Sequence, residues 1–222
     1  MLLQCGSAGG AGVEDAGIAG VWLRPGTLES LTELNELGLA LLAGEAAAHG
    51  AAAAPLLCEV RELWRGLDDA ARRRAAACPY LLLDAGFADT ARWRDCAAAQ
   101  VDDAAHGVYT AFFTVAGATE VSRLVFTYAW HLARSQVAAA RLLLGMPAPS
   151  AALIGRYTLR QIQSLAESRR DWLRPRWPAR VQVWRELLLA AAAGESPALE
   201  RARLRGLTLL AGEVRLAPPA RS

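Results

Sequence analysis

Apolar residues recur every three or four positions along most of the chain, the spacing of one face of an α-helix. The first such stretch follows Thr27, a suitable N-cap, with Glu29 and Glu33 near the positive end of the helix dipole. Gly50 is a reasonable end for it. Its apolar positions are Leu28, Leu31, Leu34, Leu37 and Leu41. The spacing predicts a first helix with one buried stripe.

A second helix is predicted from Pro55, because proline fits the first turn of a helix. Its inward residues are expected to be Leu57, Val60, Leu63, Trp64 and Leu67. Asp68 or Asp69 then caps a short helix that ends near Cys78-Pro79.

The apolar run 80–84 has the length of a short strand. A single strand has no partner, so we interpret this run as a buried extended linker. Residues 87–100 and 102–116 are predicted to be helical with irregular joints.

The C-terminal half predicts three further helices. The first is capped by Thr119 and runs to about Ser135, and its buried stripe is expected to include Leu124, Tyr128, His131 and Leu132. Residues 178–193 form the second, ending at Gly194, and Ser196-Pro197 opens the third, which reaches about residue 211. No repeat is seen at the usual solenoid periods. The pattern predicts an all-α, multi-helix, bundle-like domain.

Segment 129–177 places several helix boundaries in a distinctive order. An apolar helix runs to Leu144-Gly145, two prolines follow, and a short helix leads to a second helix with an Arg/Trp-rich end. This order resembles the core of FlhD, the flagellar master-regulator subunit, without a gap. The matching positions are Ala129, Leu132, Ala138, Ala140, Leu144, Gly145, Ala151, Thr158, Leu159, Gln161, Leu165, Ala166, Glu167 and Arg176.

The resemblance implies a DNA-binding helical dimer that acts with a second subunit, FlhC, which supplies a zinc cluster. Two features differ from the family. Leu173 stands where FlhD has a cysteine that links its subunits, and more than a hundred residues precede the matching segment.

Charge divides the chain unevenly. Residues 1–150 hold 11 arginines and 16 acidic residues, a net charge of −5, whereas residues 151–222 hold 13 and 6, a net charge of +7. We therefore expect a flexible Gly-rich leader (1–26), an acidic helical region (27–117), a helical region resembling FlhD with a basic segment (118–211) and a short disordered tail (212–222). A basic C-terminal part is typical of a protein with an anionic partner.

The basic segment is the best candidate for function. Arginine side chains bind phosphate oxygens in pairs, and each such contact releases counterions from DNA. The arginines expected to contact phosphates are Arg156, Arg160, Arg169, Arg170, Arg174 and Arg176. Tyr157, Trp172, Trp177 and Trp184 are interleaved. The alternative is that the tryptophans belong to the core and the arginines form a solvated face or pair with the acidic half.

Residues 150–156 and 159–168 have the lengths of a helix-turn-helix pair. The match is imperfect, because Gln161 falls where the second helix needs an apolar anchor and Ile162 comes one place late. Gln161 also suits a capping box with Thr158.

No catalytic, metal or cofactor site is expected. The four cysteines and three histidines are scattered without the short spacing of zinc ligands. The cysteines are expected to be buried free thiols, and the chain is expected to have no membrane span. Both expectations fit a cytoplasmic protein. All the basic residues are arginines, and the chain has no lysine. Together with the many alanines and glycines, this composition is typical of a GC-rich bacterial genome.

Two functions from different classes remain. The first is a bacterial transcription regulator, an activator that binds DNA as an oligomer or with a partner subunit. The second is a non-enzymatic helical adaptor or chaperone of a secretion or flagellar apparatus. One coherent stripe of arginines favours DNA, and scattered arginines favour the adaptor.

Overall fold

The described part of the chain is predominantly helical with almost no strand, which confirms the predicted all-α class. A computed structural model describes residues 23–24, 26–49, 54–98 and 111–216. The α-helices in these ranges are α1 Thr27–Ala48, α2 Pro55–Cys58, α3 Arg61–Arg65, α4 Asp69–Ala76, α5 Thr90–Ala98, α6 Ala118–Ser135, α7 Val137–Leu144, α8 Ala148–Ile154, α9 Leu159–Ser168, α10 Val181–Ala193 and α11 Ser196–Leu216. The strands are β1 Leu83–Asp84 and β2 Arg174–Pro175, and a 3-10 turn spans Arg170–Trp172.

Local sequence chemistry explains many of these boundaries. Asp68 caps α4 by accepting from the Ala71 N–H at 2.7 Å, as predicted. Pro55 opens α2, and Gly194 ends α10 in the left-handed conformation. The first helix begins at Thr27, one residue earlier than the predicted Thr27 cap implies, because Gly26 occupies the N-cap.

The predicted buried stripe of α6 is wrong except at Leu132, which is buried. Leu124 and His131 are exposed and Tyr128 is only half-buried. The buried face instead consists of Val121, Ser122, Val125, Phe126, Ala129, Leu132 and Ala133. This helix packs on α1, α7, α8 and α9, and Leu124 lies outside its buried face.

Several other predicted bounds also need correction. Residues 111–117 are not helical, and the helix predicted from 178 begins at Val181. The last helix runs to Leu216, five residues beyond its predicted end. The rest of the predicted leader and tail, Gly50, and residues 102–110 lie outside the described residues.

The run 80–84 is buried, as predicted, but it does have a strand partner. Leu83 pairs with Pro175 and Asp84 with Arg174, in antiparallel register. The partner lies about 90 residues away, too far for a local pattern to reveal it. Asn35 fixes the approach to β1, because its buried amide donates to the carbonyls of Ala76 and Tyr80 and accepts from the Leu82 N–H.

The order of elements recurs, which the sequence analysis did not detect. A long helix, short helices, a capped helix, a strand and a further helix occur as α1–α5 with β1, and again as α6–α10 with β2. Equivalent landmarks are 90 or 91 residues apart. They are the left-handed N-cap glycines Gly26 and Gly117, the N-caps Asp68 and Thr158, the positive-φ residues Gly86 and Trp177, and the tryptophans Trp93 and Trp184.

The two halves are related by an approximate two-fold axis. Equivalent strands pair antiparallel, and the equivalent helices α1 and α6 contact each other. Each half also packs its last helix against the other half: α5 of the first half packs on α8, and α10 of the second half packs on α2 and α3. Trp93 donates to the Gly86 carbonyl at 3.0 Å, and Trp184 donates to the Arg176 carbonyl at 2.8 Å. Each half therefore completes the other within one core, and the predicted regions on either side of residue 117 are packed together.

Helix α11 lies outside this repeat and packs closely at Gly206. A Cβ atom added to Gly206 would overlap the Tyr80 hydroxyl oxygen, whereas one added to Gly212 has nothing within 4 Å. We expect Gly206→Ala to lower the free energy of unfolding by about 1–3 kcal/mol through overpacking. Gly212→Ala, the matched control on the same helix, should raise it by roughly 0.5–1 kcal/mol because alanine favours helix.

Urea denaturation followed by tryptophan fluorescence measures both values. Equal stabilisation by the two alanines would contradict the close approach of α11 to Tyr80.

Candidate nucleic-acid interface

The predicted bihelical unit is present as α8 and α9. Pro147 is the N-cap of α8, and Gly155 ends that helix. A Cβ atom on Gly155 would lie 3.1 Å from the Ala133 carbonyl oxygen, so glycine lets α8 approach the backbone of α6 closely. The unit therefore sits against the C-terminal end of α6.

The turn between α8 and α9 is held from both sides. The Trp130 indole donates to the Tyr157 carbonyl at 2.7 Å, and the Tyr157 hydroxyl donates to the Trp93 carbonyl at 2.6 Å. Thr158 and Gln161 form the predicted capping box. Gln161 therefore serves as a cap, and Ile162 is the buried anchor of α9 together with Ala166.

The structure separates the six predicted arginines into different environments. Arg156, Arg160 and Arg170 are exposed. Arg169 is half-buried and its side chain hydrogen-bonds the Cys96 thiol. Arg174 is half-buried in β2. The six do not form one stripe, because Arg156 and Arg160 flank the start of α9 whereas Arg169, Arg170 and Arg174 follow its end.

Arg176 is misassigned as a DNA contact, because its side chain is buried, at 4% exposure. Its guanidinium donates to the carbonyls of Leu81 and Leu144, both at 2.6 Å. Carboxylates of Asp84 and Glu213 lie 3.9 Å and 3.6 Å away. The residue joins β2 to the first half of the chain and to α7, which is a structural role.

Arg134 was missed by sequence reasoning and lies beside the α8–α9 turn. It is exposed at the end of α6, with its guanidinium carbon 5.0 Å from the centroid of the Trp130 ring. Trp130 holds the turn through Tyr157, so Arg134 belongs to the same surface as Arg156. The spacing of Trp130 and Arg134, four residues apart on a helix, was the available indication.

We define the basic turn as Arg134, Arg156 and Arg160. Within the part of the chain that the structure describes, none of the three has a carboxylate at ion-pair distance. On the outward face of α9, Glu167 is instead paired with Arg123 at 2.9 Å. Three exposed guanidinium groups at or beside one turn, without a carboxylate at ion-pair distance among the described residues, suit an anionic surface.

The interleaved aromatic residues are part of the core. Trp172 and Trp184 are buried, and Trp172 packs edge-on against Trp93 at a centroid distance of 5.3 Å. Tyr157 is also buried, and Trp177 is half-buried and donates to Glu213. For the tryptophans, the alternative interpretation from the sequence is therefore correct.

Comparisons with known proteins find no match among models of protein families, curated proteins or solved structures. The resemblance to FlhD stays a prediction.

No single helix of the described residues is both long and apolar enough to cross a bilayer. The adjacent pair α7 and α8 passes that length and composition test only together, across a bend of 119°.

Removing the Arg176 guanidinium should destabilise the fold strongly. Arg176→Ala leaves two buried carbonyl oxygens without a donor, so we expect the free energy of unfolding to fall by about 3–5 kcal/mol. Arg174→Ala, two residues away and half-buried, should cost under about 1 kcal/mol. Urea denaturation of both variants gives the comparison, and a similar small cost for each would show that Arg176 is not a buried junction.

A second buried polar group, the Cys78 thiol, makes the free energy of unfolding depend on pH in the alkaline range. Burial raises the pKa of the Cys78 thiol from 9.0 to about 11, although a hydrogen bond with Tyr80 and the nearby Arg203 oppose the shift. Burial likewise raises the pKa of the Tyr80 hydroxyl. The pKa of the Cys78 thiol is thus higher in the folded than in the unfolded protein. Its contribution to the free energy of unfolding is therefore complete below pH 9 and is lost as the pH rises through 11.

We therefore expect the free energy of unfolding to decrease between pH 9 and 11, by roughly 2 kcal/mol from the thiol alone. Cys78→Ala should make this decrease shallower, whereas Cys58→Ala on α2 should leave it as in the wild type. Urea denaturation at pH 7, 9 and 10.5 measures the effect. An unchanged pH dependence in Cys78→Ala would rule out the thiol as its source.

Proposed function

We propose that this protein is a transcription regulator that binds DNA through the basic turn and the exposed face of α9. The observation that carries the proposal is the basic turn itself: Arg134, Arg156 and Arg160 are exposed at or beside the α8–α9 turn, and among the described residues none of them has a carboxylate at ion-pair distance.

The anchored backbone of the α8–α9 turn supports phosphate binding by the arginines beside it. The turn is anchored to α6 through Trp130 and to α5 through Tyr157, so little side-chain and backbone ordering is needed when DNA binds. Arginine forks match phosphate oxygens in geometry, and contacts to the backbone position a protein on the duplex. Gln163 and Ser164 lie on the exposed face of α9 behind Arg160 and are suited to hydrogen bonding at a groove.

The repeated architecture also supports the proposal. The resemblance to FlhD implies a helical dimer, and this chain contains two copies of one helix order about a two-fold axis. It is thus dimer-like as a single chain. A zinc-carrying partner subunit remains an expectation of the resemblance alone.

Charge reversal tests the basic turn. In fluorescence anisotropy against a random-sequence duplex, Arg156→Glu with Arg160→Glu should weaken binding by more than tenfold at low salt and reduce the salt dependence. The matched control reverses Arg180 and Arg201, which are exposed at the starts of α10 and α11. Equal losses in both double variants would mean that only net charge matters, and unchanged binding in the first would remove the basic turn from the function.

A helical adaptor is the second candidate. It is favoured by the scatter of the six predicted arginines, which do not form one stripe, and by a specific groove. Between α7 and α11 lies an apolar groove of about 630 Å³, lined by Ala138, Arg141, Leu142, Leu207, Leu210, Ala211 and Val214. Leu142 and Leu204 nearby are 63% and 60% exposed. Exposed leucines around a groove are typical of partner surfaces. Absence of DNA binding by the wild type at low salt would favour the adaptor.

A further inference from the structure

The two halves of the chain offer equivalent surfaces, but these surfaces differ in charge. In the second half, Gly155 ends α8 and Thr158 caps α9, with Arg156-Tyr157 between them. In the first half, Gly66 ends α3 and Asp68 caps α4, with only Leu67 between them. Leu67 and Tyr157 are both buried, so the additional residue in the second half is Arg156.

The other members of the basic turn are also missing from the first half. Counting back 90 residues from Arg160 gives Ala70, and 91 residues from Arg134 gives Ala43. The first-half turn carries carboxylates instead, at Asp68 and Asp69.

Two of the first-half arginines nearby are paired with carboxylates, and Arg73 is exposed. Arg65 pairs with Glu62 at 2.8 Å, and Arg72 pairs with Asp69 at 3.0 Å. Asp68 is exposed and uses one oxygen to cap α4. Acidic side chains at this turn repel phosphates, whereas the equivalent turn of the second half attracts them.

Symmetric helix-turn-helix readers place equivalent turns on two half-sites, about 34 Å or one helical turn apart. That mode needs both turns to be attractive. We propose that this chain binds duplex DNA asymmetrically: the second half contacts the phosphates of one half-site, and the first half serves as a fused structural partner. The inference rests on the proposed function and adds which part of the DNA site is contacted.

The number of phosphate contacts follows from this arrangement. Three arginines predict a slope of log affinity against log salt near −3, at about −0.9 per contact, whereas a reader using two equivalent turns would approach twice that value.

The test compares matched double variants, one in each half, on a random-sequence 20-base-pair duplex over several salt concentrations. Arg156→Ala with Arg160→Ala should reduce the magnitude of the slope by about 2 and weaken low-salt binding about tenfold or more. Arg65→Ala with Arg73→Ala removes the same charge from exposed positions of the first half, and it should leave slope and affinity within twofold of the wild type. Thermal melts establish that both variants are folded.

The outcomes separate the two proposals. Equal losses in both variants would show that both halves touch DNA, which overturns the asymmetric mode and leaves the DNA-binding function standing. A loss confined to the first-half variant would overturn it as well. Wild-type protein that does not bind at low salt would refute the proposed function and, with it, this inference.

Discussion

The buried guanidinium of Arg176 is the junction on which the rest of the fold depends. A charge at this depth is tolerated only when its donors are satisfied, and Arg176 meets that need with carbonyls from the β1 approach and the end of α7. Its own backbone N–H donates to Leu82, and its carbonyl accepts from Trp184. One residue thus fixes β2 against β1, α7 and α10 together.

Other buried polar side chains complete the same network of loops. Asn35 holds the segment before β1, as described above. Glu45 of α1 is also buried, and its carboxylate accepts from the backbone of Thr114 and Val115, which tethers the segment leading into α6. Loops carry most of the unpaired backbone groups, so these side chains replace the hydrogen bonds that a helix would supply. The helices are then positioned by polar contacts at their ends as much as by the apolar core.

The sequence predicted what is locally determined and missed what depends on distant partners. The capping box of Thr158, the end of α10 at Gly194 and the start of α2 at Pro55 follow from chemistry within a few residues. The burial of Arg176 and the pairing of β1 depend on contacts about 90 residues away in the chain, which periodicity does not report. The repeat escaped detection because the equivalent positions share a backbone role more often than a residue type, as with Gly86 and Trp177.

The candidate site was predictable in part for the same reason. Arg156 and Arg160 were found from the density of arginines around a bihelical pattern. Arg134 was missed because it belongs to another helix and reaches the turn only through Trp130.

The reciprocal packing of α5 and α10 has a consequence for biosynthesis. When the ribosome has added residue 117, α2 and α3 lack the helix that covers them, and β1 lacks its only described partner. That partner ends at residue 175 and α10 ends at residue 193, which at roughly 5–20 residues per second is made several seconds later. During this interval the nascent chain exposes apolar helix faces and an open strand edge.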